Sequence, residues 1–350
     1  ISVHHSPITI HQKTISLPYL CLMKFFLTGG TGYIGSWMIR RLTERGHEVH
    51  ALVRNPEKAK SIQNDLVKLF RGDMLDEEAI RRGMEGCDGV FHLAAFAKVW
   101  ARDPKVFFDQ NVVATNRILD AARDLGVKRT VVTSTAGVFG ASLHGTITEE
   151  SARDLDFFNE YESSKALSES KIKDYVIRGL DVVIVSPTRV YGPALHGSPE
   201  SVTLLIDKFV NGSWRFIPGD GTKIGNYVFV EDVVEGHILA MEKGKKGETY
   251  ILGGSNHDYN EFFGKLSELS GVKRSMIKMP IGLQMMFSRF QLLKTKFGGE
   301  PLITPKWIAK GKYDWKVDAS KAVRELGMII TPLETGLKRT IDWSRERRKQ

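Results

Sequence analysis

The segment Thr28-Gly29-Gly30-Thr31-Gly32-Tyr33-Ile34-Gly35 constrains this chain more than any other. It satisfies G-x-G-x-x-G through Gly30, Gly32 and Gly35, and G-x-x-G-x-x-G through Gly29, Gly32 and Gly35. An apolar run at 24–28 precedes it and an amphipathic stretch follows. Glycine serves three needs at such a turn. The strand must reverse sharply, the backbone must approach a pyrophosphate, and the helix must pack close to the strand. The next helix then aims free N–H groups and its positive end at an anion. A strand, a glycine loop and a helix in this order predict a doubly wound α/β fold around a dinucleotide.

The rest of the first half agrees. Short apolar runs predict strands at 24–28, 48–54, 67–70, 89–93, 129–134 and 181–186. Amphipathic stretches predict helices at 33–45, 77–84, 103–125 and 160–178, with Gly46, Gly126 and Gly179 closing three of them. Strand–helix alternation with nearly continuous apolar strands predicts a parallel sheet covered on both faces. After Pro193 the alternation decays. We expect a Rossmann domain over 23–192, with 225–255 returning to it through strands at 227–230 and 249–252. The segments 193–224 and 256–343 would form a smaller substrate-binding domain, and 344–350 a solvated basic tail. Met23 reads as the natural start, and 1–22 as a non-native or disordered extension.

Composition narrows the class. The 350 residues include only two cysteines, Cys21 and Cys87, which excludes a disulfide scaffold and fits a reducing cytoplasm. No run of ~18 apolar residues exists to span a bilayer. The formal net charge of +9 suits nucleic acid, an anionic membrane or a phosphorylated ligand. The ten histidines show no metal-ligand spacing, so no metal is expected.

Two local patterns carry chemistry. A carboxylate ending the second strand would bind the ribose 2′-hydroxyl of NAD. That strand ends instead in Arg54-Asn55, and arginine pairs with a 2′-phosphate, so NADP is expected before NAD. Downstream, Tyr161 and Lys165 share a helical face at i and i+4. A cation beside a phenol lowers its pKa from ~10 and makes Tyr161 usable in proton transfer. The hydroxyls ending the run Val131-Val132-Thr133-Ser134-Thr135 could donate a hydrogen bond to a carbonyl oxygen.

Together these residues resemble the extended short-chain dehydrogenase/reductases of the NAD-dependent epimerase/dehydratase family, with a dihydroflavonol-reductase-like look. The resemblance spans roughly residues 23 to 343. It rests on the glycine loop, Gly72-Asp73-Met74, His92-Leu93-Ala94-Ala95, Asn111-Val112, Thr133–Gly140, Tyr161–Lys165, Pro187-Thr188-Arg189-Val190-Tyr191-Gly192-Pro193 and Val228-Phe229-Val230-Glu231-Asp232-Val233. It implies that Gly29, Thr31, Gly32, Tyr33, Ile34 and Gly35 hold the diphosphate. Asp73 and Met74 would face the adenine, and Leu93, Ala94 and Ala95 would line the cofactor. Lys165 would also hold the nicotinamide ribose, with Pro187 beside the ring. The family's active-site serine falls on Thr135, with Ser134 an open alternative. Lys98 and Trp100 lie where the family meets substrate. His92 and Asn111 read as local structural residues. A homodimer on the helices carrying Asn111 and Tyr161 is implied too.

Three functions stay open: an NADP-dependent carbonyl reductase or alcohol dehydrogenase, a nucleotide-sugar epimerase with retained NAD, and a cofactor-sensing relative without catalysis. A 4,6-dehydratase would want an acidic pair beside the catalytic hydroxyl, whereas Ala136-Gly137 follow Thr135. The partner expected is a small molecule, not nucleic acid. The stretch 275–297 interleaves Met and Phe with Lys and Arg. It reads as a helix packing its apolar face on the second domain, or as a cover for an apolar substrate whose basic face rests weakly on an anionic membrane.

Overall fold

A computed structural model describes residues 22–196, 201–295 and 298–348. The expectation for 1–22 therefore lies outside the described residues, Leu22 excepted. Six early strands form in chain order: β1 (Lys24–Thr28), β2 (Glu48–Val53), β3 (Val67–Arg71), β4 (Gly89–His92), β5 (Arg129–Thr133) and β6 (Val182–Pro187). Six more follow: β7 (Arg189–Tyr191), β8 (Phe216–Pro218), β9 (Ile224–Phe229), β10 (Thr249–Leu252), β11 (Ser255–Asp258) and β12 (Ile277–Met279).

The main sheet has seven parallel strands in the order β10-β6-β5-β4-β1-β2-β3. Every residue of β6 is buried, as a strand covered on both faces requires. On one face lie the helices Tyr33–Glu44 and Val230–Lys243, which insert Trp37, Met38, Ile39, Leu42, Val233, Val234 and Ile238. On the other lie Glu77–Met84, Ala114–Asp124 and Glu160–Ile177, carrying Ile80, Met84, Ile118, Leu119 and Ile172. The strand order reverses between β1 and β4. Ligands of such sheets bind in the crevice outside the carboxyl ends of the strands at that switch point.

The structure corrects several expectations. Strand 249–252 returns to the main sheet, but 227–230 does not. β9 instead forms a three-stranded sheet with β7 and β11. An apolar run says that a strand is buried, not which sheet it joins. The predicted 103–125 helix is broken by a π turn at Asp109–Val113, which turns Asn111 inward. The tail is not simply solvated: Arg345 donates to the Ser270 carbonyl, and Arg348 to the Asp207 carbonyl and to Ser344. Met276 packs against the second core, but the helix 281–295 turns five of its large apolar side chains outward, as described below.

Candidate active site

The glycine loop is a cradle that side chains would fill. Gly29 has φ +80°, and a Cβ there would lie 2.7 Å from the Ala94 nitrogen. A Cβ on Gly35 would lie 2.0 Å from the Gly29 carbonyl oxygen. The helix Tyr33–Glu44 starts at Gly32 with no side-chain cap and no acid in its first turn. Its leading N–H groups are thus left for an anion. Thr31 is exposed at the tip, and Ile34 is half-buried behind it. Tyr33 differs from expectation. Its hydroxyl bonds the Gly192 carbonyl at 2.8 Å and Thr203 at 3.0 Å, tying loop to second half, so its side chain is already committed and only its backbone remains for a ligand.

At the ends of β2 and β3, a recess of about 360 Å³ is lined by Arg54, Arg71, Gly72, Asp73 and Asp76. Arg71 was not anticipated, because only the register Val53↔Arg71 brings it beside Arg54. Both arginines are exposed, and no carboxylate among the described residues pairs with either. Asp73 accepts from the Leu75 N–H at 3.0 Å, and Met74 packs partly buried against the core. Leu93, Ala94 and Ala95 follow β4 half-buried, opposite the glycine loop. The Ala94 N–H donates to Thr28 Oγ1. The cradle, uncapped helix and paired arginines fit a dinucleotide.

His92 and Asn111 hold this frame. His92 is buried between Thr28 (Nδ1, 2.8 Å) and Thr115 (Nε2, 3.1 Å), and burial pushes it down to about 3. Asn111 accepts from the Phe96 N–H and donates to the Phe96 carbonyl and to Ser164 Oγ.

Asn159 caps the helix Glu160–Ile177, which places Tyr161 in its first turn. The Thr135 hydroxyl accepts from the Gly137 N–H at 3.2 Å and lies close enough to the Tyr161 phenol to lower its pKa. Ser134 is buried, with its hydroxyl on the side of Glu169. Lys165 follows one turn later, fully buried. The expected depression of Tyr161 is absent. Burial pushes the phenol up to about 12, Glu162 adds to this, and Thr135 opposes it. Burial pulls Lys165 down to about 8, against the opposing Glu169 carboxylate. Desolvation outweighs the charge effect that i,i+4 spacing suggests. Pro187 ends β6, paired with Leu252 of β10. Lys98 is exposed and meets Glu300 at 3.5 Å, while Trp100 is half-buried.

Two further clusters escaped the sequence reading. Buried Glu162 pairs with Arg153 at 2.9 Å and Lys310 at 2.7 Å. Arg153 also donates to the Gly137 carbonyl at 2.6 Å, locking the loop that bears Thr135 onto the helix of Tyr161. Arg189, two residues past Pro187, donates to the Tyr259 and Tyr227 hydroxyls at 3.2 and 3.4 Å. Only its place in the Pro187–Pro193 motif could have flagged it. Among the described residues no group of three or more His, Cys, Asp or Glu side chains could hold a metal ion.

Residues 25–253 match the model of the NAD dependent epimerase/dehydratase family. The chain belongs to that family. A Synechocystis protein provisionally named dihydroflavonol 4-reductase is 31% identical over 326 residues, 91% of this chain and 94% of that one. Sterol demethylase protein B of Methylococcus capsulatus is 32% identical over 336 residues, 93% and 99% of the two chains. The UDP-glucose 4-epimerase of Thermotoga maritima, solved with UDP-glucose, superposes with TM-score 0.78 at 25% identity, covering 93% of this chain and 99% of that one. The family member described here is an NAD(P)-dependent oxidoreductase of the extended short-chain dehydrogenase/reductase type, and its named relatives include both reductases and epimerases.

Proposed function

We propose that this family member is an NADP-dependent carbonyl reductase, or alcohol dehydrogenase in reverse, acting on a small organic substrate. One observation carries the reading: Tyr161 and fully buried Lys165 stand one turn apart on a capped helix, onto which Arg153 locks the loop bearing Thr135. A protonated phenol is a proton donor at neutral pH. Thr135 hydrogen-bonds the carbonyl oxygen, Tyr161 supplies its proton, and Lys165 steadies the charge Tyr161 leaves behind. Bound in the cradle, the cofactor supplies hydride to the carbonyl carbon. Arg54 and Arg71 would grip the 2′-phosphate as paired guanidinium groups. Gly29, Thr31, Gly32, Ile34 and Gly35 would hold the diphosphate, Asp73 and Met74 the adenine side, and Leu93, Ala94, Ala95 and Pro187 the ring side. Lys98 and Trp100 would border the substrate.

The second reading is a nucleotide-sugar epimerase holding NAD, supported by the likeness to the Thermotoga enzyme. The two unpaired arginines weigh against it, because NAD has no 2′-phosphate. The reductase reading also includes a cytosolic location and a homodimer. The dimer is supported by Val113, Leu167 and Ile177, which lie exposed along the elements bearing Asn111 and Tyr161.

The deciding experiment is to purify the protein, release any retained nucleotide, and follow NADPH oxidation with a panel of ketones. NADPH consumption by a ketone is expected. Retained NAD together with interconversion of UDP-sugars would overturn the reading.

A further inference from the structure

The helix Ile281–Thr295 is turned inside out. Five of its large apolar side chains point to solvent, while Ile281, Met285 and Leu292 are half-buried: Leu283 is 49% exposed, Met286 64%, Phe287 49%, Phe290 61% and Leu293 49%. Its polar Ser288 and Gln291 are buried, at 0% and 3%. The spacing 283, 286–287, 290, 293 makes one continuous stripe along the helix. Soluble monomers rarely leave such a stripe open, and one of this kind marks an interaction site.

Charge says what covers it. From residue 269 to 299 the chain has six cations (Lys273, Arg274, Lys278, Arg289, Lys294 and Lys296) and no acid. Lys278, Arg289 and Lys294 are exposed, and no carboxylate among the described residues pairs with them. An apolar stripe flanked by unpaired cations matches the boundary layer of an anionic bilayer, where acyl chains take the apolar groups and headgroups the cations. The neighbouring helix Pro305–Lys310 adds a half-exposed Trp307, a side chain suited to that boundary. No helix among the described residues is long and apolar enough to cross the membrane, so the contact would lie in the surface plane. We propose that this helix docks the protein onto anionic lipid bilayers as an interfacial anchor. Five residues past the helix, Glu300 meets Lys98 at 3.5 Å, which brings the anchor near a residue assigned above to the substrate.

Vesicle flotation tests this without any turnover. Phosphatidylcholine vesicles are compared with vesicles containing about one-third phosphatidylglycerol. Wild type should float with the anionic vesicles alone, and its bound fraction should fall several-fold at about 0.5 M salt. The double variant Phe287→Ser/Phe290→Ser should lose flotation while keeping its melting temperature and NADPH affinity, because both side chains are exposed. Arg289→Glu/Lys294→Glu should lose it too. Failure of wild type to float, or flotation kept by both variants, would overturn the proposal. So would a serine variant whose only change is dimer to monomer, or a raised KM, since the stripe would then serve a second copy or cover the substrate. Failure of the reductase reading leaves the flotation result untouched.

Discussion

Tyr161 and Lys165 stand one turn apart on the same helix, displaced in opposite directions: the phenol up to about 12, the ammonium down to about 8. Each is pushed toward its neutral form by burial. Reduction should therefore lose efficiency as Lys165 gives up its charge. We expect kcat/KM for NADPH-driven reduction to fall above about pH 8. Lys165→Arg, which stays charged, should be slower but flat across that limb. An unchanged alkaline limb in Lys165→Arg would remove Lys165 from the profile. Tyr161→Phe should lower kcat by about 100-fold or more with NADPH affinity nearly unchanged, as measured by titration and turnover.

Much of this frame was legible in the chain, for identifiable reasons. A doubly buried strand is one apolar run, so β1 to β6 appear within a residue or two of their structural limits. The glycine loop and the Tyr161–Lys165 spacing are local patterns and need no tertiary knowledge. What stayed hidden depends on chain closure. Arg71 meets Arg54 only through strand register, and Glu162 meets Lys310 across 148 positions. The pKa of Tyr161 follows from burial, which spacing does not report. The interleaved apolar and basic residues of 275–297 suggested a helix with an apolar face, but only the surrounding packing decides that the face at 281–295 looks outward.

The paired arginines make a sharp cofactor prediction. Arg54→Asp should reverse the preference for NADPH over NADH, and Arg71→Ala should narrow it by about ten-fold through loss of one charge-assisted contact. Added salt should narrow the wild-type gap as well, since both side chains are exposed. Titration of both cofactors at two salt concentrations is sufficient. Equal affinities in wild type would sink the NADP assignment.

Glu162 carries two cations in a buried site, and its carboxylate helps raise the neighbouring phenol. Glu162→Gln leaves Arg153 and Lys310 around a neutral amide. Removing one partner of such a cluster costs about 3–5 kcal/mol, which urea titration at neutral pH would read directly. The same variant should lower the pKa of Tyr161, visible as a shift in phenolate absorbance on alkaline titration. A stability change under about 0.5 kcal/mol would show that Arg153 holds the Thr135 loop through its backbone carbonyl contacts alone.

Acid should unfold this protein through its interior histidines. Thr115 gives its hydroxyl proton to the Asn111 carbonyl, so it accepts from His92 Nε2–H. Thr28 accepts from the Ala94 N–H and gives its own proton to His92 Nδ1. His237 likewise donates from Nδ1 to the Val233 carbonyl and accepts at Nε2 from Thr133. Both rings are satisfied while neutral, and burial lowers them to about 3 and about 4. The unfolded chain binds these protons near pH 6.5, well before the folded protein does. Stability is therefore full above pH 6.5 and falls as the pH drops toward the folded values. At ~1.4 kcal/mol per unit of pH per group, the two account for a loss on the order of 5 kcal/mol by about pH 4.5. Urea titrations at neutral pH and at pH 4.5 measure the drop. His237→Gln keeps a donor and an acceptor but does not titrate, so its drop should be roughly half that of wild type. An equal drop in the variant would assign the acid sensitivity to the half-buried carboxylates Asp88, held down by the Lys24 N–H and the Lys128 ammonium, and Glu48, where Lys68 and His50 outweigh burial.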